Sequence, residues 1–248
     1  MMMYIGGKRI HYSRKGFGKP ILFIHGWGGT LNSLKEVSSF FEPSSDVILL
    51  DLPGFGESEL PDPGWGSYDY AHLVVLFLKQ LGINNIVYFG HSFGGSLGII
   101  ISALHPFLIS KLILCNSAYK RTDKKSNTAS SFKRFFYSIP VLNSFGPFIR
   151  KIGYHLFFRN SDLCKFPKLE SNFKKIMTED LTPLLKKIKT KTLILWGEED
   201  RQTPVPLAHE LKEKIINSKL HIFPNQKHNL PLSNPLLITH VIKEFIES

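Results

Sequence analysis

Asn85-Ile86-Val87-Tyr88-Phe89, then Gly90-His91-Ser92-Phe93-Gly94, then Ser96-Leu97-Gly98-Ile99-Ile100-Ile101-Ser102-Ala103-Leu104 are the pieces whose order decides the fold. The first is a run of β-branched and aromatic residues, the composition of a buried strand. The third is apolar almost all round and stops before Pro106, as a buried helix does. Between them lies a five-residue G-x-S-x-G turn. Alone, that pattern is also met by any Gly/Ser-rich connection. Set between a strand and a helix, it describes a sharp turn that holds the Ser92 hydroxyl proud of the sheet. A Cβ at position 90 or 94 would crowd the crossing of strand and helix. Ser92 is therefore a candidate nucleophile.

Working outward, Ser67 to Leu81 carries Tyr70, Val74, Phe77 and Leu81 at helical spacing, with Gly82 as the stop. Pro20-Ile21-Leu22-Phe23-Ile24 and Asp46-Val47-Ile48-Leu49-Leu50 read as buried strands, and Lys111-Leu112-Ile113-Leu114-Cys115 as another after the elbow helix. Residues 3–18 alternate around Gly6-Gly7 and suit an opening hairpin. Ser33-Leu34-Lys35-Glu36 has the form of a capping box that opens a helix. Strands alternating with helices predict an α/β fold with a mainly parallel central sheet.

The alternation breaks near Ala118 and resumes with the strand Thr192-Leu193-Ile194-Leu195-Trp196, then a helix around Pro206–Ile216, the strand Leu220-His221-Ile222-Phe223, the loop Pro224–Pro231 and a closing helix from Leu236. The chain thus divides into a core, 1–117 and 190–248, and a helical cap insertion, 118–189. Within the insertion Phe132, Phe135, Phe136 and Ile139 repeat at helical spacing. Phe135, Phe136 and Phe148 are candidates to line an apolar substrate pocket. So are Phe132, Phe145, Tyr154, Phe157 and Phe158, with Lys133, Arg134, Arg150, Lys151, Arg159, Lys174 and Lys175 turned to solvent.

At 248 residues, 43% of them apolar, the chain is large enough for one α/β domain with an insertion. The net charge of +11 is concentrated: residues 119–191 hold 17 Lys and Arg against 5 Asp and Glu, while the rest holds 14 against 15. Such a field aids solubility or draws an anionic partner, a carrier or a lipid surface. No nucleic-acid partner is expected, and nothing sets the oligomeric state. No apolar run reaches the length of a membrane span, and no apolar leader opens the chain, so a cytoplasmic location is expected. Cys115 and Cys164 offer neither metal spacing nor a disulfide framework.

A serine hydroxyl needs a base within hydrogen-bond reach, itself oriented by a third group. Asp200 lies just past a strand end and His228 in the loop after the next strand, giving the order Ser92, Asp200, His228. Glu198 and Glu199 are rivals for the acid, though the spacing from Gly197 favours Asp200. Among the other histidines, His25 and His91 belong to motif loops and suit bracing, His221 lies in a strand, and Asp51 suits holding its own turn.

With Phe23-Ile24-His25-Gly26-Trp27-Gly28, Asp51-Leu52-Pro53-Gly54-Phe55-Gly56-Glu57-Ser58, Gly90–Gly95, Trp196–Asp200 and Lys227-His228 in this order, the chain resembles α/β-hydrolase-fold serine hydrolases. The resemblance implies Ser92 as nucleophile, His228 as general base and then acid, and Asp200 as the group that fixes the imidazole tautomer. It implies an oxyanion hole made by the backbone N–H groups of Trp27 and Phe93, with Trp27 also at the acyl pocket. Lys227 stands where the family commonly has Gly, and Asn234 where it often has Glu. A serine at position 92 excludes relatives with a carboxylate nucleophile. The expected substrate is a small acyl ester of short to medium chain, cleaved through an acyl-enzyme with no metal or organic cofactor. The chain is similar to carboxylesterases, including the pimeloyl-carrier methyl esterase group, and to meta-cleavage-product hydrolases, so thioester and C–C cleavage stay open. A ligand receptor with an intact triad is the reading from outside enzymology.

Overall fold

The computed structural model describes residues 1–121 and 165–248. The strands are β1 (Met2–Ile5), β2 (Lys8–Lys15), β3 (Lys19–Ile24), β4 (Ser45–Leu50), β5 (Ile86–His91), β6 (Ile109–Cys115), β7 (Lys191–Gly197) and β8 (Ser218–Phe223). They form one sheet in the order β1-β2-β4-β3-β5-β6-β7-β8. β1 and β2 pair antiparallel as the hairpin predicts, β2 pairs antiparallel with β4, and β3 to β8 run parallel.

Burial on both faces explains why these strands read as unbroken apolar runs. Side chains alternate across the sheet with a period of two. Leu22, Ile24, Tyr88, Leu112, Leu114, Ile194 and Trp196 face one core. Helices α2 (Ser67–Gln80), α3 (Phe93–Leu104) and α6 (Pro206–Lys214) supply Tyr70, Phe77, Leu97 and Leu211 to that core. Phe23, Leu49, Phe89, Ile113 and Leu195 face the other. There they meet Val37 of α1 (Lys35–Ser39) and Ile238, Ile242 and Phe245 of α8 (Pro235–Glu247). Short helices α4 (Glu170–Ile176), α5 (Thr182–Leu185) and α7 (Leu230–Ser233) complete the described elements.

One local reading changes. The turn before α1 opens at Thr30, whose N–H donates to Ser33 Oγ at 3.1 Å, so Ser33 closes a 3-10 turn over Leu31–Leu34 and is not the start of a box with Glu36. Lys191 opens β7, whose far end leads to Asp200. Its neighbour Thr190 accepts from Ser102 Oγ at 2.8 Å, near the end of the helix that Phe93 begins. With about 3.3 Å per strand residue, Lys191 sits roughly 20 Å from the Gly197 end of β7.

Between β6 and β7 the chain leaves the sheet and returns. The two ends of this excursion meet where Leu181 N–H donates to the Tyr119 carbonyl at 2.9 Å. The Tyr119 hydroxyl also donates to Glu210 of α6 at 2.8 Å. The returning segment is tied to the core loop before α2. Buried Asn172 donates to the carbonyls of Asp62 at 2.8 Å and Trp65 at 3.4 Å. Glu179 accepts the Ser67 N–H, an otherwise unpaired donor at the start of α2, at 2.9 Å. Phe132, Phe135, Phe136, Phe145, Phe148, Tyr154, Phe157, Phe158 and Cys164 lie outside the described residues. Among the described residues, no helix is long and apolar enough to cross a membrane.

Candidate active site

Strand order places the site. From β3 the chain moves to β4 on one side and later crosses to β5 on the other, and the crevice at such a switch, past the carboxyl ends of the strands, is where open α/β sheets bind ligands. Ile24 at the end of β3 pairs with Gly90 of β5, so Gly26-Trp27 and Ser92 emerge side by side. Asn116, Asp200 and His228 follow the ends of β6, β7 and β8, the next strands along the sheet.

Ser92 has φ of 50° and ψ of −113°, a backbone state that costs a non-glycine residue on the order of 1–3 kcal/mol. Its surroundings enforce it. Ser92 N–H donates to the Cys115 carbonyl at 2.9 Å, and the Ser92 carbonyl accepts from Gly95 at 2.9 Å and Ala118 at 3.2 Å. A Cβ on Gly90 would run into the Gly94 carbonyl, and one on Gly94 into that of Ile24. The elbow read from the sequence is thus a close packing of three backbones.

His228 Nε2 lies 3.0 Å from Ser92 Oγ, and its Nδ1 lies 2.8 Å from Asp200 Oδ2. Asp200 is 4% exposed and His228 8%. Asp200 Oδ1 accepts from the N–H groups of Gln202 at 2.8 Å and Thr203 at 2.9 Å. Oδ2 also accepts from Asn116 Nδ2 and Thr203 Oγ1, each at 2.5 Å. Burial alone would push the Asp200 carboxyl up, but the hydrogen bond and charge of His228, with the two hydrogen bonds from Thr203, hold it below its ordinary value. Glu198 and Glu199, the rivals for the acid, are exposed.

The flanking histidines brace, as expected. His25 Nε2 accepts from Leu52 N–H at 3.1 Å, so Nδ1 carries the proton donated to the Gly26 carbonyl at 2.7 Å. His91 Nε2 donates to the His228 carbonyl at 2.9 Å. Burial pushes the His91 imidazole down to about 3, with His228 adding to the effect, so His91 is neutral across the working range. Asp51 does more than hold its own turn: it accepts from Leu31 N–H at 2.6 Å and Glu57 N–H at 3.1 Å and pairs with His11 at 2.8 Å. His221 is exposed on β8 with its ring 4.3 Å from that of Phe223.

Beside Ser92 stands an aromatic wall. The Trp27 ring centroid lies 5.0 Å from Phe55, 5.7 Å from Phe93 and 5.2 Å from Phe173, and Phe166 packs on Phe55 at 5.3 Å. The Trp27 indole N–H is buried with no hydrogen-bond partner. Among the described residues, neither the Trp27 nor the Phe93 backbone N–H donates to a backbone acceptor. For Phe93 this follows from its place as the first residue of α3, where N–H groups lack an intrahelical acceptor.

A model of the alpha/beta hydrolase fold matches residues 19–177, well over half of the chain. This protein belongs to the α/β-hydrolase family. It is 28% identical, over 96% of its length and 93% of the relative's, to the uncharacterized hydrolase YugF of Bacillus subtilis. It is 29% identical, over 89% of its length and 84% of the relative's, to a 2-hydroxy-6-oxononadienedioate/2-hydroxy-6-oxononatrienedioate hydrolase of Escherichia coli. Its fold superimposes on the enol-lactonase of Burkholderia xenovorans LB400 with a TM-score of 0.80, covering both chains whole at 20% identity.

In this α/β hydrolase the structure brings together Ser92, His228, Asp200, Trp27 and Phe93. Phe135, Phe136 and Phe148 lie outside the described residues. Four residues escaped the sequence reading. Asn116 and Thr203 on Asp200 had faint signals: an Asn just past a strand end, and a Thr three after an Asp, where side-chain to backbone turns form. Phe166 and Phe173, seven apart in a short helical stretch, were overshadowed by the many aromatics before them. Among the described residues, no group of three or more His, Cys, Asp and Glu is placed to hold a metal ion.

Proposed function

We propose that this α/β hydrolase cleaves carboxylic esters of short to medium acyl chain through an acyl-enzyme, with Ser92 as nucleophile. The observation that carries the reading is the unbroken chain Ser92 Oγ, His228 Nε2, His228 Nδ1, Asp200 Oδ2, with steps of 3.0 and 2.8 Å. Ser92 Oγ attacks the ester carbonyl as its proton passes to His228 Nε2. The tetrahedral oxyanion takes the free N–H groups of Trp27 and Phe93. The imidazolium, held by ionised Asp200, returns the proton to the leaving alkoxide as the C–O bond breaks. Water, deprotonated by His228, then frees the acid and restores Ser92. The apolar acyl chain rests against Trp27 and Phe173, under a cap formed by residues 118–189. Basic residues of that segment draw an anionic substrate carrier, a role that requires hydrolysis of such a substrate to slow as salt rises.

The test is sustained turnover of p-nitrophenyl esters together with labelling by a fluorophosphonate. Many turnovers per chain and a mass shift on the peptide bearing Ser92 are expected. A single burst with no further release would favour a receptor. Hydrolytic C–C cleavage is a second reading, favoured by the 29% identity to the Escherichia coli oxononadienedioate hydrolase. Its sign would be consumption of an oxo-dienoate at a higher kcat/KM than any ester.

A further inference from the structure

We propose that Asn116 and Thr203 are positioning residues of this site, which fix the Asp200 oxygen facing His228 and, by sharing its charge, set the basicity of the imidazole. The proposal rests on the reading of Ser92, His228 and Asp200 given above.

Asn116 follows β6, the strand between the one that leads to Ser92 and the one that leads to Asp200. Its φ is 48°, in the left-handed region that Asn tolerates better than most residues. Its N–H is spent on the Leu195 carbonyl at 3.0 Å, and its carbonyl oxygen lies 3.2 Å from Thr203 Oγ1. The side chain has no exposure, and its amide donates to Asp200 Oδ2 at 2.5 Å. Thr203 Oγ1 lies 2.5 Å from the same oxygen and 3.2 Å from His228 Nδ1. A hydroxyl has one proton to give, and the charged oxygen at the shorter distance takes it.

Oδ2 therefore accepts three donors, one of them the His228 ring. The other two hold the carboxylate in one rotamer, so that the Nδ1 proton meets it in line. They also withdraw charge that would otherwise stabilise the imidazolium. Removing either donor leaves more charge on Oδ2 and so favours the imidazolium over the neutral ring. The remaining groups facing this end of the imidazole do not confuse the reading. His91, 5.2 Å away ring to ring, stays neutral. Glu198 touches the loop only through Asn225 N–H at 3.3 Å and is exposed. Lys227, next to His228 in the chain, is exposed as well.

The experiment is the pH dependence of kcat and kcat/KM on a neutral p-nitrophenyl ester for wild type, Thr203→Val, Thr203→Ser and Asn116→Gly, the last keeping the left-handed backbone while removing the amide. Thr203→Val and Asn116→Gly are expected to lower kcat about tenfold or more with KM within about twofold. Both are expected to move the acid limb of kcat/KM to higher pH, and Thr203→Ser is expected to restore both. Acid limbs that coincide with wild type in soluble, folded Thr203→Val and Asn116→Gly would overturn the proposal, whatever the fall in rate. Ser92→Ala separates the two levels: if it stays active, the parent reading fails, and if it is inactive while the limbs do not move, only the positioning role fails.

Discussion

His91 Nε2 donates to the backbone carbonyl of His228 at 2.9 Å, so the residue beside the elbow serine also anchors the distant loop that completes the site. The bond needs only a neutral ring, and burial keeps it neutral. In the unfolded chain His91 titrates at its ordinary 6.5, while in the fold it is pushed down to about 3. Between those values the unfolded state binds a proton that the folded state refuses. Stability is therefore whole above pH 6.5 and is lost as pH falls through the window, at about 1.4 kcal/mol per unit. Buried His25, also lowered, adds the same sign. Asp200, lowered too, adds its loss only through the carboxylate range below. Urea unfolding should show at least about 2 kcal/mol less stability at pH 5 than at pH 7. A flat profile would mean that His91 is solvated or protonated in the fold.

Ser92→Ala should abolish ester hydrolysis and leave the fold intact, because the elbow is set by the Gly90 and Gly94 contacts and by backbone bonds that do not use the hydroxyl. Only the catalysis from binding and oxyanion donors remains, on the order of 10³–10⁴ over water. Initial rates and circular dichroism check the two halves separately, and near wild-type turnover would remove Ser92 from the chemistry.

Asp200→Asn should cost on the order of 10⁴ in kcat by presenting His228 with the wrong tautomer partner. Glu199→Gln, at an exposed position one residue earlier, should stay within about twofold of wild type. The reverse ranking in steady-state kinetics would move the acid to Glu199.

The sheet was legible because strands buried on both faces must be apolar throughout, and the elbow because its glycines answer a steric demand that any chain making this turn must meet. Asp200 was legible from its spacing past Gly197. A Cβ on Gly197 would itself strike the Gln226 carbonyl of the loop that carries His228. What stayed hidden depends on contacts between residues far apart in sequence. Asn116 and Asp200 are 84 positions apart, and neither residue's neighbours announce the bond. The same holds for Asn172 and the loop before α2, 107 and 110 positions away.

Asn172→Leu should destabilise the protein by about 1–3 kcal/mol, since it leaves the Asp62 carbonyl without its donor beneath a buried side chain. Because this contact ties the returning segment to the loop before α2, limited proteolysis should cut within 165–189 faster in the variant. Unchanged urea midpoints and cleavage rates together would show that the segment is held elsewhere.

Phe173→Ala should widen the site toward longer acyl chains. The Phe173 ring lies 5.2 Å from that of Trp27, and Trp27 follows Gly26, whose position faces the Ser92 side chain, so Phe173 stands one ring away from the reacting centre. Removing it opens apolar space that a longer chain fills, at about 0.8 kcal/mol, or roughly fourfold in kcat/KM, for each added methylene that is buried. Two buried methylenes would then shift the preference for octanoate over butanoate esters roughly tenfold or more. Phe107→Ala, 90% exposed and past the C-terminal end of α3, the end opposite Ser92, serves as the control and should leave the preference alone. The ratio of kcat/KM across p-nitrophenyl esters from acetate to octanoate is the measurement. An unchanged ratio in Phe173→Ala would place the acyl chain away from Trp27 and send the search for its pocket to residues 122–164.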